Sequence, residues 1–150
     1  METPTPSTPI QLSNLEELQV EAASFAMTLI PADDHALLIT LSGELGTGKT
    51  SFTQGMADAL GIDDPITSPT FVLEKVYGLT GQKFSKLIHI DAYRLEGDTT
   101  LVPLGFDELY ADASNLIVIE WPELVQSQLP LPDHQLTLTV SGEGRELIYA

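Results

Sequence analysis

The feature that most constrains this chain is the octapeptide from Gly43 to Thr50, which reads GELGTGKT. It fits the pattern G-x-x-x-x-G-K-[ST] at every fixed position. The apolar run at residues 36–42 before it predicts a buried strand, and apolar residues at helical spacing after it predict a helix from about Thr50 to Leu60. A strand, a glycine-rich loop and a helix in this order predict a phosphate-binding loop rather than an ordinary glycine-rich turn.

The residue types of this loop suit the binding of a nucleotide. Glycines allow the backbone to curl so that several N–H groups point at one anion, and the helix that follows adds its own unpaired N–H groups. Lys49 is placed to reach the β- and γ-phosphates, and the Thr50 hydroxyl is placed to hold Mg²⁺. The loop therefore predicts a nucleoside triphosphate with Mg²⁺ as its ligand.

The charge balance of the chain bears on its partners. It has 22 acidic and 6 basic residues, for a formal net charge of -16. Such a surface repels phosphate backbones, which disfavours direct, tight binding to nucleic acid. Cysteine is absent, no apolar run approaches the roughly 20 residues of a membrane helix, and the N-terminus does not resemble a signal peptide. We therefore expect a cytoplasmic protein that does not associate with membranes.

The sequence divides into a tail and one domain. Residues 1–12, rich in proline and threonine, predict a flexible N-terminal tail, and residues 13–150 predict a single domain. Ser13 and Glu16 form a capping-box pattern, which predicts a first helix from about Asn14 to Ile30.

Later segments predict the remaining elements. Residues 71–77 and 83–91 are joined by a five-residue loop and predict an antiparallel hairpin. Further strands are predicted over 115–120, 135–140 and 145–149, with a short helix over 104–110. The predicted fold class is α/β: a single nucleotide-binding domain of the P-loop type, whose mixed parallel and antiparallel central sheet is flanked by helices.

Two acids end predicted strands, Asp91 and Glu120. In open α/β sheets the ligand lies outside the carboxyl ends of the strands, so both carboxylates are expected beside the phosphate loop. Together with Lys49 they are the predicted catalytic residues, one acid at the metal and the other at the attacking water. For Asp91 alone a helix-capping role competes with this interpretation. Which acid contacts the metal directly stays open.

Four segments together resemble a known family. They are the phosphate loop, Ser68-Pro69-Thr70-Phe71, His89-Ile90-Asp91-Ala92-Tyr93-Arg94-Leu95 and Glu120-Trp121-Pro122-Glu123. In this order and spacing they resemble TsaE (older name YjeE), the small bacterial P-loop ATPase of tRNA threonylcarbamoyladenosine biosynthesis. The likeness covers roughly residues 14–149.

The resemblance implies a cofactor, partners and site residues. It implies ATP and Mg²⁺ as cofactors, TsaB and TsaD as partner proteins, and contact with tRNA only through the complex. It places Thr50 and Glu120 at the Mg²⁺ and makes Asp91 an essential acid. The implied nucleotide-binding residues are Gly43, Glu44, Leu45, Gly46, Thr47, Gly48, Lys49, Thr50, Ser51, Thr70 and Trp121. An ordinary core role for Trp121 remains the alternative.

Other nucleotide-dependent functions are less well supported. A small-molecule or nucleotide kinase needs a cationic lid, and the chain has no arginine-rich segment; it also lacks the Asn-Lys-x-Asp pattern of a GTP-dependent switch. Two acids beside the loop argue against a module that only binds a nucleotide. Arg94 and Arg145 are the only arginines. Because hydrolysis needs a cation on the developing charge, we predict slow hydrolysis alone and acceleration by a partner.

Overall fold

The computed structural model describes residues 9–44, 46–63, 74–92 and 105–149. The strands within these ranges are β1 (Ile10–Leu12), β2 (Leu37–Ser42), β3 (Glu74–Gly78), β4 (Lys86–Asp91), β5 (Asn115–Glu120), β6 (His134–Ser141) and β7 (Gly144–Tyr149). The helices are α1 (Leu15–Thr28), α2 (Lys49–Ala59) and α3 (Phe106–Tyr110), with short 3₁₀ turns at Pro122–Leu124 and Gln126–Gln128. None of the helices in the described ranges has the length and apolarity needed to cross a bilayer.

The described strands form one mixed sheet in the order β1-β7-β6-β2-β5-β4-β3. Its centre is parallel, since β2 pairs with both β5 and β6, and β4 pairs with β5. Its margins are antiparallel, through the pairs β1–β7, β6–β7 and β3–β4. This confirms the predicted α/β class with a mixed sheet, including the antiparallel hairpin.

Successive side chains of the central strands point to opposite faces of the sheet, so the sheet has a hydrophobic core on each face. On one face Ile39, Leu41 and Val118 pack with α1 and α2, and on the other Leu38, Ile117 and Ile119 pack with α3 and the 3₁₀ segment. Strands buried on both faces read as continuous apolar runs, as β2 and β5 do here. The phosphate loop leaves β2 at its carboxyl end, between these two layers.

The position of α2 depends on a close approach to α1. A Cβ atom added at Gly55, inside α2, would lie 2.6 Å from the Gln19 carbonyl oxygen and 2.8 Å from the Ala22 Cβ. Glycine inside a helix costs about 0.5–1 kcal/mol relative to alanine. Here it allows the two helices to touch, which fixes where the N-terminus of α2 meets the loop.

Two predicted boundaries were wrong. The tail was expected through Leu12, but Ile10–Leu12 pairs with β7, so the sheet begins earlier in the chain. The first helix caps on Asn14 rather than Ser13: Asn14 Oδ1 accepts from the Glu17 N–H (2.8 Å), while Glu17 Oε1 accepts from the Ser13 N–H (3.0 Å). Asparagine and serine cap about equally well, so the sequence alone left the choice between neighbours undecided. Residues 71–73 of the predicted hairpin lie outside the described residues.

Candidate nucleotide site

The phosphate loop needs its glycines for backbone reasons. Gly43, Gly46 and Gly48 have φ angles of 152°, 80° and 102°, a region that side chains disfavour. A Cβ at Gly43 would also lie 2.7 Å from Thr47 Oγ1. Thr47 itself is buried, and its hydroxyl donates to the Glu44 carbonyl oxygen at 2.8 Å. The loop is thus closed by its own side chain, which leaves its curvature preset for an anion.

Lys49, at the start of α2, is held at the mouth of this loop. Its Nζ donates to the Gly43 carbonyl oxygen at 2.5 Å and to that of Glu44 at 3.1 Å. Burial lowers the pKa of Lys49, while the carboxylates of Glu120 and Glu123 act in the opposite direction. An ammonium group that has already lost much of its water gives up little more hydration when it binds a phosphate.

The two predicted acids meet at the carboxyl edge of the sheet. β4 and β5 are parallel neighbours, and their register places Asp91 directly opposite Glu120. Both carboxylates are buried, at 5% and 3% exposure. The Thr50 hydroxyl lies 3.3 Å from Glu120 Oε1 and 3.2 Å from Oε2, which joins the first turn of α2 to the end of β5.

Glu120 has a second partner, a histidine from the neighbouring strand. His89 Nε2 lies 2.5 Å from Glu120 Oε2. His89 is fully buried in β4, two residues before Asp91, and therefore shares the face of the strand that carries the acid. Three elements, β4, β5 and α2, converge on one carboxylate.

Trp121 turns the chain sharply after β5. At φ 60° and ψ 50° it is the one non-glycine residue of the described ranges with a positive φ. Its N–H donates to the Leu41 carbonyl oxygen at 3.2 Å. The ring centroid lies 4.1 Å from Lys49 Nζ, and the ring also packs against the core beneath α3. The side chain therefore both packs against the core and covers the lysine.

Arg145 holds the loop from the opposite side. Its Nε donates to the Thr47 carbonyl oxygen (3.0 Å) and its Nη2 to that of Gly46 (2.9 Å). The guanidinium from β7 thus spans two successive carbonyls of the phosphate loop. As one of the chain's two arginines, Arg145 is a candidate for the cation that hydrolysis needs. Its hydrogen bonds show a group that supports the loop backbone instead.

The oxygen donors beside the loop fit Mg²⁺. The Thr50 hydroxyl and the Glu120 carboxylate are hard oxygen groups within 3.3 Å of each other. No cluster of three or more histidine, cysteine, aspartate or glutamate side chains suited to a metal occurs among the described residues. A Mg²⁺ ion brought in with a nucleotide needs only one or two protein ligands, because water and phosphate oxygens fill the rest of its octahedron.

Comparison with known proteins agrees with this geometry. The family model of the threonylcarbamoyl adenosine biosynthesis protein TsaE matches residues 12–147. The chain belongs to the TsaE family. The Bacillus subtilis tRNA threonylcarbamoyladenosine biosynthesis protein TsaE is 36% identical over 137 residues, covering 91% of this chain and 80% of that protein. The protein of the same name from Treponema pallidum is 40% identical, over 78% of this chain and 84% of the relative.

A solved structure supports the family assignment at the level of the fold. The crystal structure of Bacillus subtilis YdiB superposes with a TM-score of 0.74 at 28% identity, covering 98% of this chain and 87% of that chain. The mixed sheet described above is therefore shared with a solved relative.

The structure of this TsaE-family chain brings most of the predicted site together. Gly43, Glu44, Gly46, Thr47 and Gly48 form the loop, and Lys49, Thr50 and Ser51 form the first turn of α2. Asp91, Glu120 and Trp121 close the site from the neighbouring strands. Leu45 and Thr70 lie outside the described residues, as does Arg94.

Sequence reasoning missed two contacts. The hydrogen bond between His89 and Glu120 was not predicted. The period of two in β4 carries the signal, because it places His89 on the same face as Asp91. For Arg145 no local signal existed: its contacts with the loop join residues 98 and 99 positions apart in the sequence.

Proposed function

We propose that this chain is the ATP-binding and ATP-hydrolysing subunit required to form N6-threonylcarbamoyladenosine next to the anticodon of tRNAs that read codons beginning with A. It acts with TsaB and TsaD, and it contacts tRNA only through that complex. The observation that carries the proposal is the convergence of Lys49, Thr50, Asp91 and Glu120 at a preset phosphate loop in a TsaE-family chain.

The chain's own groups divide the work. Backbone N–H groups of the loop and of the first turn of α2 bind the phosphates. Lys49 exchanges the carbonyl oxygens of Gly43 and Glu44 for phosphate oxygens. Thr50 and Glu120 would hold the Mg²⁺ of the nucleotide, which supplies charge neutralisation on the phosphates. Asp91, opposite Glu120 in the register, orients the attacking water and takes up its proton.

The proposed rate of hydrolysis rests on the position of Arg145, the one arginine among the described residues. In the part of the chain that the structure describes, Arg145 is bound to the carbonyls of Gly46 and Thr47, so it stays behind the loop. An arginine supplied to the transition state is worth about 10³–10⁵ in rate. Hydrolysis by the chain alone is therefore slow, and a docked partner accelerates it.

The charge of the chain agrees with the proposal that the partner proteins, and not this chain, contact the tRNA. A formal net charge of -16 repels the tRNA backbone and favours contact through more basic partners. Because the modification is made on the tRNA pool that serves the ribosome, we place the protein in the cytoplasm.

The deciding experiment measures ATP hydrolysis by the purified chain, alone and with TsaB and TsaD. We expect stimulation by the partners that disappears in Glu120→Ala. Glu108→Gln in α3 is the control, because that carboxylate is exposed and distant in sequence from the loop. Hydrolysis by the isolated chain as fast as by the assembly would contradict the partner-dependent part. Transfer of the phosphate to an added small molecule would replace the proposal with a kinase.

A further inference from the structure

His89 is a polar residue in a position that packing alone would fill with an apolar one. It lies in the middle of β4, fully buried, with Val118 of β5 and Lys75 of β3 as its register neighbours. Ile88 and Ile90, on either side of it in sequence, belong to the core beneath α3. A buried imidazole costs free energy unless its nitrogens are hydrogen-bonded.

The hydrogen bonds of this ring are one-sided. Nε2 lies 2.5 Å from Glu120 Oε2, whereas Nδ1 is buried and has no hydrogen-bond partner among the described residues. A carboxylate only accepts, so the imidazole donates from Nε2. Within the described residues the ring thus contacts a single acceptor, the carboxylate that the proposed function assigns to the Mg²⁺.

The carboxylate of Glu120 needs such a donor to keep one orientation. The last torsion of a glutamate side chain is broad and roughly two-fold, so the carboxylate group turns easily. The Thr50 hydroxyl lies almost equally far from both oxygens, at 3.3 and 3.2 Å, and does not choose between them. The contact from His89 reaches Oε2 alone and breaks that symmetry.

We propose that His89 is a positioning residue for the magnesium site: its Nε2–H holds Oε2 of Glu120, so that Oε1 and the Thr50 hydroxyl face the metal of the bound nucleotide. The inference rests on the proposed function, because it needs Glu120 to serve a metal–nucleotide complex. Groups that hydrogen-bond to a metal-binding carboxylate orient it, and their removal typically weakens metal binding.

The test separates metal binding from hydrolysis. The full chain is saturated with ADP, and its affinity for Mn²⁺, used as a paramagnetic substitute for Mg²⁺, is measured by electron paramagnetic resonance. The affinity for ADP is measured by calorimetry on the same proteins without nucleotide, once in EDTA and once with Mn²⁺. The variants are His89→Leu, which removes the donor, and His89→Gln, whose amide nitrogen replaces Nε2. His35→Gln is the matched control, because it makes the same change in a second histidine that contacts carboxylates.

We expect Mn²⁺ affinity to fall about 10–100-fold in His89→Leu, with ADP affinity in EDTA unchanged. His89→Gln should recover most of the loss, and His35→Gln should match the wild type. In Glu120→Gln the further change His89→Leu should have no additional effect on Mn²⁺ affinity, because the two residues act as a unit. If the leucine variant does not fold, His89→Asn replaces it, since its shorter amide does not reach Oε2.

Other results would overturn the inference. Wild-type Mn²⁺ affinity in a folded His89→Leu or His89→Asn would do so, and so would an equal loss of ADP binding with and without the metal, which marks a purely structural role. In both cases the wild type still binds ADP, so the proposed function stands. If the wild type binds no adenine nucleotide under either condition, the proposed function fails and the inference fails with it.

Discussion

At the carboxyl edge of the parallel strands a histidine contacts a carboxylate almost without solvent, whereas at the amino edge a second histidine contacts two carboxylates at the surface. The first pair is His89 and Glu120, with side chains 0% and 4% exposed. In the second, His35 lies 2.6 Å from Asp34 and 3.1 Å from Asp133, with 28% of the imidazole exposed. The chemical groups are alike, and their surroundings differ.

The amino-edge cluster has a structural task. Asp133 Oδ2 accepts from the Leu38 N–H at 2.8 Å, and the Asp133 N–H donates to the Leu38 carbonyl oxygen at 2.8 Å. This ties the start of β6 to β2. Tyr110, the last residue of α3, stacks on the His35 ring with centroids 5.2 Å apart, so the end of α3 also packs against this cluster. His35 thus lies where β2, β6 and α3 meet, and the charged groups around it are at least partly exposed to solvent.

The comparison shows how burial decides what a histidine–carboxylate pair can do. At the surface, water screens the pair, and it contributes about 0–1 kcal/mol to folding. When it is buried, each partner depends on the other, because an unpaired charge in the interior is costly. We therefore expect changes at the carboxyl edge to alter ligand binding strongly and changes at the amino edge to alter only stability.

The largest effect should come from Lys49→Met. Loss of the charged hydrogen bonds to phosphate lowers the affinity for ADP about 10–100-fold. The free energy of unfolding should stay the same or rise, because a partly desolvated ammonium is replaced by an apolar side chain. Calorimetry with ADP and thermal unfolding without it test both statements.

Lys75→Met is the control for Lys49→Met. Lys75 also lies over an aromatic ring, that of Tyr77 at 5.2 Å, but it is exposed on β3. We expect wild-type affinity for ADP in this variant. Equal losses in the two variants would mean that overall charge, rather than the position of Lys49, governs binding.

The sequence predicted the carboxyl edge much better than the amino edge. The loop pattern, the strand ends at Asp91 and Glu120, and the glycines follow from local rules, because a phosphate loop limits both residue type and spacing. At the amino edge no local pattern indicates a partner for His35 or for His134. In the structure the His35 ring lies at the surface and contacts Asp133, whereas His134 is the first residue of β6 and packs edge-on against Phe25, with ring centroids 5.3 Å apart.

The misses share a physical reason. Contacts such as Arg145 with Thr47 or His35 with Asp133 join residues about a hundred positions apart, and surface pairs need no particular spacing in sequence. The helix cap moved from Ser13 to Asn14 because both side chains can accept the same kind of hydrogen bond. Local sequence patterns thus predict the type of each secondary-structure element. Which of two chemically equivalent neighbours makes a given contact depends on the tertiary structure.

A smaller effect is expected from Arg145→Gln. Two hydrogen bonds to loop carbonyls are lost, which costs about 1–3 kcal/mol of unfolding free energy. ADP affinity should fall only a few-fold, since the backbone N–H groups that we propose to bind phosphate remain. Thermal unfolding with and without ADP gives both quantities.

Arg145→Lys keeps the charge but cannot span both carbonyls, so it should recover at most part of the loss. Full recovery by lysine would show that charge, and not the forked contact, holds the loop.

The smallest effect should appear in His35→Gln, as a change in how stability depends on pH. The hydrogen bond to Asp133, then that to Asp34, raises the pKa of His35, and partial burial opposes them. The folded state therefore holds a proton that the unfolded chain releases. The stabilisation is complete below the ordinary pKa of about 6.5 and is lost as the pH rises through the folded pKa. Denaturant titrations across this range should show that His35→Gln removes the decline, while ADP affinity stays unchanged.

His134→Gln should change the same curve in the opposite sense. Burial lowers the pKa of His134, and Asp133 only partly offsets this. The unfolded chain then binds more protons, so the wild type loses stability as the pH falls below about 6.5. His134→Gln should remove that loss and leave the decline at higher pH intact.

The comparison of the two edges fails if His35→Gln lowers the affinity for ADP, as His89→Leu lowers the affinity for Mn²⁺. The two edges would then be coupled, and burial alone would not separate effects on binding from effects on stability.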